Sequence, residues 1–160
     1  MSGQKLSGGL EKKGVYTILI SVYPPAKVDV GKLGRFEFSG LYAYTGSAIG
    51  SGSSSLDGRV ARHLSKTKKL RWHIDYLLGH PNAKVRGIVT SLTRTKSNEC
   101  KVSENILDLA GCASIEGFGS SDCACNSHLA HVGTSLEKAF QAILDAHRRA
   151  GLEPRMNREM

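Results

Sequence analysis

Aromatic side chains are scarce in this 160-residue chain, 6% with a single tryptophan, so a stacking platform for single-stranded nucleic acid is not indicated. No apolar run approaches the roughly 20 residues of a bilayer-spanning helix. Residues Met1 to Leu10 are rich in Gly and Ser and lack the apolar core of a signal peptide. These absences give an expectation of a cytoplasmic protein with no membrane partner and a flexible N-terminus over residues 1–10. Internal repeats are absent. The Gly/Ser stretch from Ser47 to Ser55 lacks the Lys-Ser/Thr ending of a phosphate-cradling loop, so it reads as a plain flexible connection. Without an export signal, the four cysteines Cys100, Cys112, Cys123 and Cys125 are not expected to form disulfides.

Acidic residues are also in deficit, 14 against 22 Lys and Arg, leaving a net charge of +8. The excess is clustered. Arg59, Arg62, Lys66, Lys68, Lys69 and Arg71 fall close together, and Arg148, Arg149, Arg155 and Arg158 load the C-terminus. Such a field attracts polyanions without reading their sequence, and Arg62, Lys66, Lys68, Lys69 and Arg71 are the candidate nucleic-acid contacts. A soluble basic surface is the plainer reading of the charge alone.

Length and 40% hydrophobic content fit one domain with a real core. Val15 to Tyr23 is apolar on both alternating faces, which predicts a buried central strand halted by Pro24-Pro25. A hairpin arm follows, then a second strand over Gly40 to Ser47, with Tyr42 and Tyr44 on one face. Asp57 caps a predicted helix through Lys66, on which Arg59 and His63 share a face. A short helix over Leu70 to Leu78 and a third strand over Lys84 to Leu92 come next, with Trp72 read as core. Ser97 or Asn98 caps a helix to about Ala110, with Glu99 in its first turn. After a loop-rich stretch, Thr134-Ser135-Leu136-Glu137 reads as a capping box for a final helix ending at Gly151, with His147 at the border of the core. The fold class is α/β of the α+β kind: a three-stranded antiparallel sheet flanked by helices.

Tyr16, Tyr44, Arg59 and His63 are a set suited to cutting phosphodiesters. A tyrosine hydroxyl can pass a proton, a guanidinium can hold a phosphate through two parallel bonds, and an imidazole can do either near neutral pH. Glu99 is the best candidate metal ligand, with Glu104 its rival and Asp75 a fallback. Cys123, Cys125 and His128, with His73, form a candidate second metal or structural zinc site. One residue between the cysteines is tight for zinc, so a compact turn is the preferred reading there.

Taken in order, Gly14-Val15-Tyr16, Tyr44-Thr45-Gly46-Ser47-Ala48, Arg59 with His63, and Glu99 resemble the landmarks of the GIY-YIG nuclease superfamily. Trp72-His73-Ile74-Asp75-Tyr76 and the segment Gly117 to Leu129, of the form GFGxSDCxCxSHL, resemble its uncharacterised prokaryotic domain-of-unknown-function branch. The resemblance covers residues 10 to 132. It implies a nuclease domain over 11–132, to which the reading adds a C-terminal helix over 133–152 packed on it and a basic tail over 153–160. It further implies a metal-dependent endonuclease using one divalent cation, Mg or Mn, on DNA rather than RNA, with a DNA-repair protein as a potential partner. Tyr16 would be the base, aided by Tyr44 or His63, with Arg59 clamping phosphate and Glu99 holding the ion. Thr45 departs from the usual isoleucine, and the gap between the two tripeptides is longer than usual. Two other classes stay open: a catalytically weak nucleic-acid-binding module, and a zinc-stabilised interaction domain.

Overall fold

The computed structural model describes residues 12–50, 52–66, 68–109, 113–119 and 127–158. The expected flexible N-terminus, and Cys112, Cys123 and Cys125, lie outside them. Strand β1, Gly14–Asp29, occupies the middle of a sheet and is buried continuously from Gly14 to Val22. A strand that is apolar on both faces can satisfy its backbone and hide its side chains only with neighbours at both edges and layers above and below. On one side it pairs with β2, Arg35–Ala48, and on the other with β3, Ala83–Leu92, both antiparallel.

The sheet is wider than the three strands expected. Short strands β4, Ala113–Ser114, and β5, Leu129–His131, extend it beyond β2, and β6, Arg155–Arg158, extends it beyond β3. The order is β4-β5-β2-β1-β3-β6, with every pairing antiparallel. Two to four residues carry too little alternation for these strands to be recognised in sequence. The stretch read as loop therefore contains β4 and β5, and the basic tail contains an edge strand. Pro24-Pro25 does not stop β1 either. The register with β2 shifts between Val22 and Ala26, and the strand resumes to Asp29. A bulge leaves residues outside the ladder, which is where chain lacking N–H donors can sit.

Alternate residues of β1 feed two separate cores. Tyr16, Ile18, Ile20 and Val22 pack with Phe38, Tyr44, Ile74, Leu77 and Phe118 on one face. Helices α1, Leu56–Leu64, and α2, His73–Leu78, cover that face. Val15 and Leu19 pack on the other with Val89, Val102, Ile106, Phe140 and Ile143, beneath α3, Asn98–Asp108, and α4, Leu136–Arg149. The result is a helix–sheet–helix sandwich of mixed α+β class.

The helix caps are local corrections to the sequence reading. Ser55, not Asp57, caps α1, its Oγ accepting from Gly58 N at 3.2 Å, while Asp57 occupies the first turn where the dipole favours it. Ser135, not Thr134, caps α4, so Glu137 falls one position short of closing a capping box. It pairs instead with Arg158 Nη1 at 2.9 Å and ties β6 to the helix. No helix among the described residues is long and apolar enough to cross a membrane.

His147 lies inside the second core, fully buried, not at its border. Its Nε2 is 2.9 Å from Thr17 Oγ1 and its Nδ1 is 2.8 Å from Ser91 Oγ, and Thr17 in turn bonds Thr45 at 3.1 Å. Paired at both nitrogens, a buried imidazole is tolerable only while neutral, and burial holds its pKa down at about 4.

Candidate active site

Two glycines of the sequence motifs turn out to be steric necessities. A Cβ on Gly14 would stand 2.1 Å from Ser91 O of β3. Gly46 pairs with Tyr16 across the hairpin, and a Cβ there would meet the Tyr16 hydroxyl at 2.5 Å. The missing side chain lets the Tyr16 ring lie along the sheet and reach α1, where its hydroxyl is 2.7 Å from His63 Nε2. Gly46→Ala should therefore displace Tyr16 and cost about 1–3 kcal/mol of stability, read as the urea midpoint.

Around this pair opens a cavity of about 400 Å3 lined in part by Tyr16, Tyr44, Arg59, Arg71, Glu99 and His128. Tyr16 comes from β1, Tyr44 from β2, Arg59 from α1 and Glu99 from α3. His63 sits behind the wall, 2% exposed, against the rings of Tyr16, Tyr44 and Trp72. Burial drives its pKa to about 4, with Asp75 opposing, so the ring is neutral at physiological pH, and its Nε2 accepts from the Tyr16 hydroxyl in the tautomer that carries the proton on Nδ1. Burial likewise pushes the Tyr16 phenol well up, although the Arg59 guanidinium beside it pulls the other way. Tyr44, also buried, is raised by the same cause.

The two arginines of α1 have opposite fates. Arg62 forms a two-pronged bond to Asp75, Nη1 to Oδ1 and Nη2 to Oδ2, both 2.9 Å, and its guanidinium lies 4.2 Å from the Trp72 ring centre. It therefore does not project as part of a phosphate rim. Arg59 contacts Trp72 at 5.0 Å, and its buried Nε has no hydrogen-bond partner among the described residues. A desolvated donor of this kind in a cavity wall is a place for an anion.

Asp75 is spent as a structural group. Fully buried, it also accepts from Arg71 N and Trp72 N at 2.9 Å. Burial raises its pKa, but the Arg62 bonds and the two amides overcome that and hold it down. It has no capacity left for a metal. Asp75→Asn should cost about 3 kcal/mol, measurable by denaturant unfolding, because Arg62 is left without its counter-charge. Lys68 is also committed, its Nζ donating to His63 O and Ser65 O at the end of α1. Lys66, Lys69 and Arg71 remain exposed.

Glu99 is held at one oxygen and approached at the other. Ser47 Oγ donates to Oε1 at 3.0 Å, and His128 Nδ1 lies 3.1 Å from Oε2. Its rival Glu104 is exposed and does not line the cavity. His73 also lines the cavity, with Nδ1 accepting from Gly119 N at 2.9 Å. Of the candidate zinc set, Cys123 and Cys125 lie outside the described residues, and among the described residues no group of three His, Cys, Asp or Glu could hold an ion. Cys100 is disulfide-bonded, contrary to the expectation for the cysteines, and its Sγ is 3.9 Å from His128 Nε2. Reasoning from sequence missed Ser47 and Lys96 as cavity residues. Ser47 lies an odd number of positions from Tyr44, so strict alternation along β2 assigns the two to opposite faces, and nothing local marks Ser47 as a neighbour of the site. Lys96 precedes α3 in a short turn, where no periodicity applies.

One comparison with known proteins was positive. The model of a family described as Domain of unknown function DUF123 matches residues 15–152. Neither the curated proteins nor the solved structures gave a match. Nearly all of the described sheet and helices α1 to α4 lie within the matched span, and the chain belongs to the DUF123 family.

Proposed function

We propose that the protein is a divalent-metal-dependent endonuclease acting on DNA. The observation that carries this reading is the convergence of Tyr16, Tyr44, Arg59 and Glu99, from four separate elements, on one cavity. The resemblance of the same residues to the GIY-YIG landmarks supports it. The site's chemistry fits a cation such as Mg2+ or Mn2+, which is commonly held by one or two carboxylates while substrate phosphate and water fill the rest of its shell. Glu99 is the acidic residue of the cavity wall, oriented by Ser47. A bound ion would supply Lewis-acid stabilisation to the departing oxygen.

The chain's own groups divide the remaining work. Arg59 holds the scissile phosphate and stabilises the charge that builds on it. Tyr16 takes a proton from the attacking water and hands its own to neutral His63 across the 2.7 Å bond, so the phenolate need not accumulate. Tyr44 shapes the wall, packed edge-on to His63 and Phe118.

Single-stranded, duplex, flapped and branched DNA incubated with Mg2+ or Mn2+ test the reading. Cleavage that chelator abolishes is expected; binding without cutting under all these conditions would leave a binding module instead. Arg71 is an exposed cation of the cavity wall, and Lys66 and Lys69 are exposed a few residues before it. Changing all three to alanine should flatten the slope of log affinity against log salt by about 2 to 3 units on duplex DNA, without altering any base preference.

A further inference from the structure

The Glu99–His128 contact brings together two potential ligands from segments remote in sequence. We propose that Glu99 Oε2 and His128 Nδ1 are adjacent ligands of one divalent-cation site, which takes Mn2+ or a similar transition ion in preference to Mg2+. The proposal deepens the nuclease reading and rests on it for the presence of an ion at Glu99.

Geometry is the first argument. The two atoms are 3.1 Å apart. An ion with bonds of about 2.1 Å to each would subtend roughly 95° between them, near the right angle of an octahedral centre. Neither side chain would have to move far.

The second argument is that both ligands are already fixed. Ser47 Oγ holds the other carboxylate oxygen, leaving Oε2 to face the imidazole. The backbone of His128 is clamped from two directions: its N–H donates to Phe118 O at 2.8 Å, and its carbonyl accepts from Thr45 N at 3.0 Å. Next to it, Ser127 O accepts from Ser103 Oγ of α3 at 2.8 Å, which ties this end of the segment to the helix that carries Glu99. His128 is 3% exposed yet lines the cavity. A buried imidazole nitrogen close to a carboxylate beside an open cavity leaves the remaining positions of the ion to water and phosphate, as an open catalytic centre requires.

Ligand chemistry selects the ion. Carboxylate oxygen suits Mg2+ and Mn2+ alike, whereas imidazole suits Fe2+, Ni2+, Cu2+ and Zn2+, so an N/O pair shifts preference away from Mg2+ toward the transition ions, of which Mn2+ is the EPR-active probe. The segment ending at His128 then has a function: it delivers the nitrogen ligand.

The test is Mn2+ binding to the purified full chain, followed by loss of the free-ion EPR signal, with pulsed EPR to detect a directly bonded nitrogen. One site with a 14N coupling is expected, and growth on 15N-histidine should convert it to a 15N coupling without any mutation. His128→Gln should abolish the coupling and weaken binding at least about tenfold. Bound Mn2+ without nitrogen coupling, or Mn2+ binding unchanged in His128→Gln, overturns the proposal. If the chain cuts DNA in either of those cases, the nuclease reading survives. Nitrogen-coupled Mn2+ on a chain that cuts nothing supports the ion site and removes the nuclease reading.

Discussion

Arg59→Ala and Glu99→Gln should each lower cleavage by about 10²–10³-fold while leaving the thermal midpoint within a few degrees of the parent. The small stability effect follows from how each side chain is held. Arg59 forms no ion pair among the described residues, so truncation removes a hydrogen bond to Tyr16 but strands no buried counter-charge. Glutamine keeps a carbonyl oxygen for Ser47 Oγ but gives up the charge that attracts a cation. The internal control is Arg62→Ala, three residues from Arg59 on the same helix. There the loss should appear in stability, because Asp75 is left buried and unpaired. Single-turnover rates and unfolding midpoints measured on the three variants separate the two outcomes. Retained cleavage in both Arg59→Ala and Glu99→Gln would sink the nuclease assignment. Tyr16→Phe is a finer probe: a loss of only a few-fold would mean that another group takes the proton.

Acid should unfold the protein through two imidazoles. His63 and His147 have pKa values near 4 in the fold because burial disfavours the cation, against an ordinary value of 6.5 in the unfolded chain. Between those values the unfolded state binds the proton and the folded state does not. Their stabilising effect is therefore complete above about pH 6.5 and is lost as pH falls to about 4, below which it changes no further. Each histidine contributes roughly 3 kcal/mol to that loss, together comparable with the whole stability of an ordinary domain. Asp75 belongs to a lower window, since its pKa is held below the ordinary carboxylate value. Urea unfolding at pH 7, 5.5 and 4 reads the effect directly. His147→Gln should remove about half of the drop, and a parent protein equally stable at pH 7 and pH 4 would contradict the buried neutral state of both rings.

The legible part of this protein was its centre. An unbroken apolar alternation from Val15 to Val22 has one physical solution, a strand covered on both faces, and β1 adopts it. Arg59 and His63, one turn apart, were readable as sharing a helix face, although only the structure separates a cavity-facing Arg59 from a hidden His63. What could not be read was how charges are spent. Arg62 and Lys68 look like Lys66 and Lys69 in sequence, and only the fold brings Asp75 and the last carbonyls of α1 to them. The pairing of Glu99 with Ser47 and His128 spans more than twenty residues in each direction and depends on α3 lying beside the β2–β5 edge. No local pattern encodes a contact of that range.

The ends of the sheet bear on how copies of this chain behave when concentrated. A central strand of sixteen residues, largely apolar, is the kind of segment that drives strands from different molecules to stack. From Gly14 to Val22 it is paired on both sides, and among the described residues the outermost strands are short: two residues of β4 at one margin and four of β6 at the other. The β6 margin, Arg155–Arg158, is exposed and carries an arginine at each end, of which Arg158 is paired with Glu137. A second molecule adding itself there would have to bring its own arginines alongside them over a ladder only four residues long, so like-charge repulsion opposes a small gain in backbone bonding. Removing β6 would uncover the side of β3 at Gly87 to Thr90, trading a cationic margin for an apolar one of the same length.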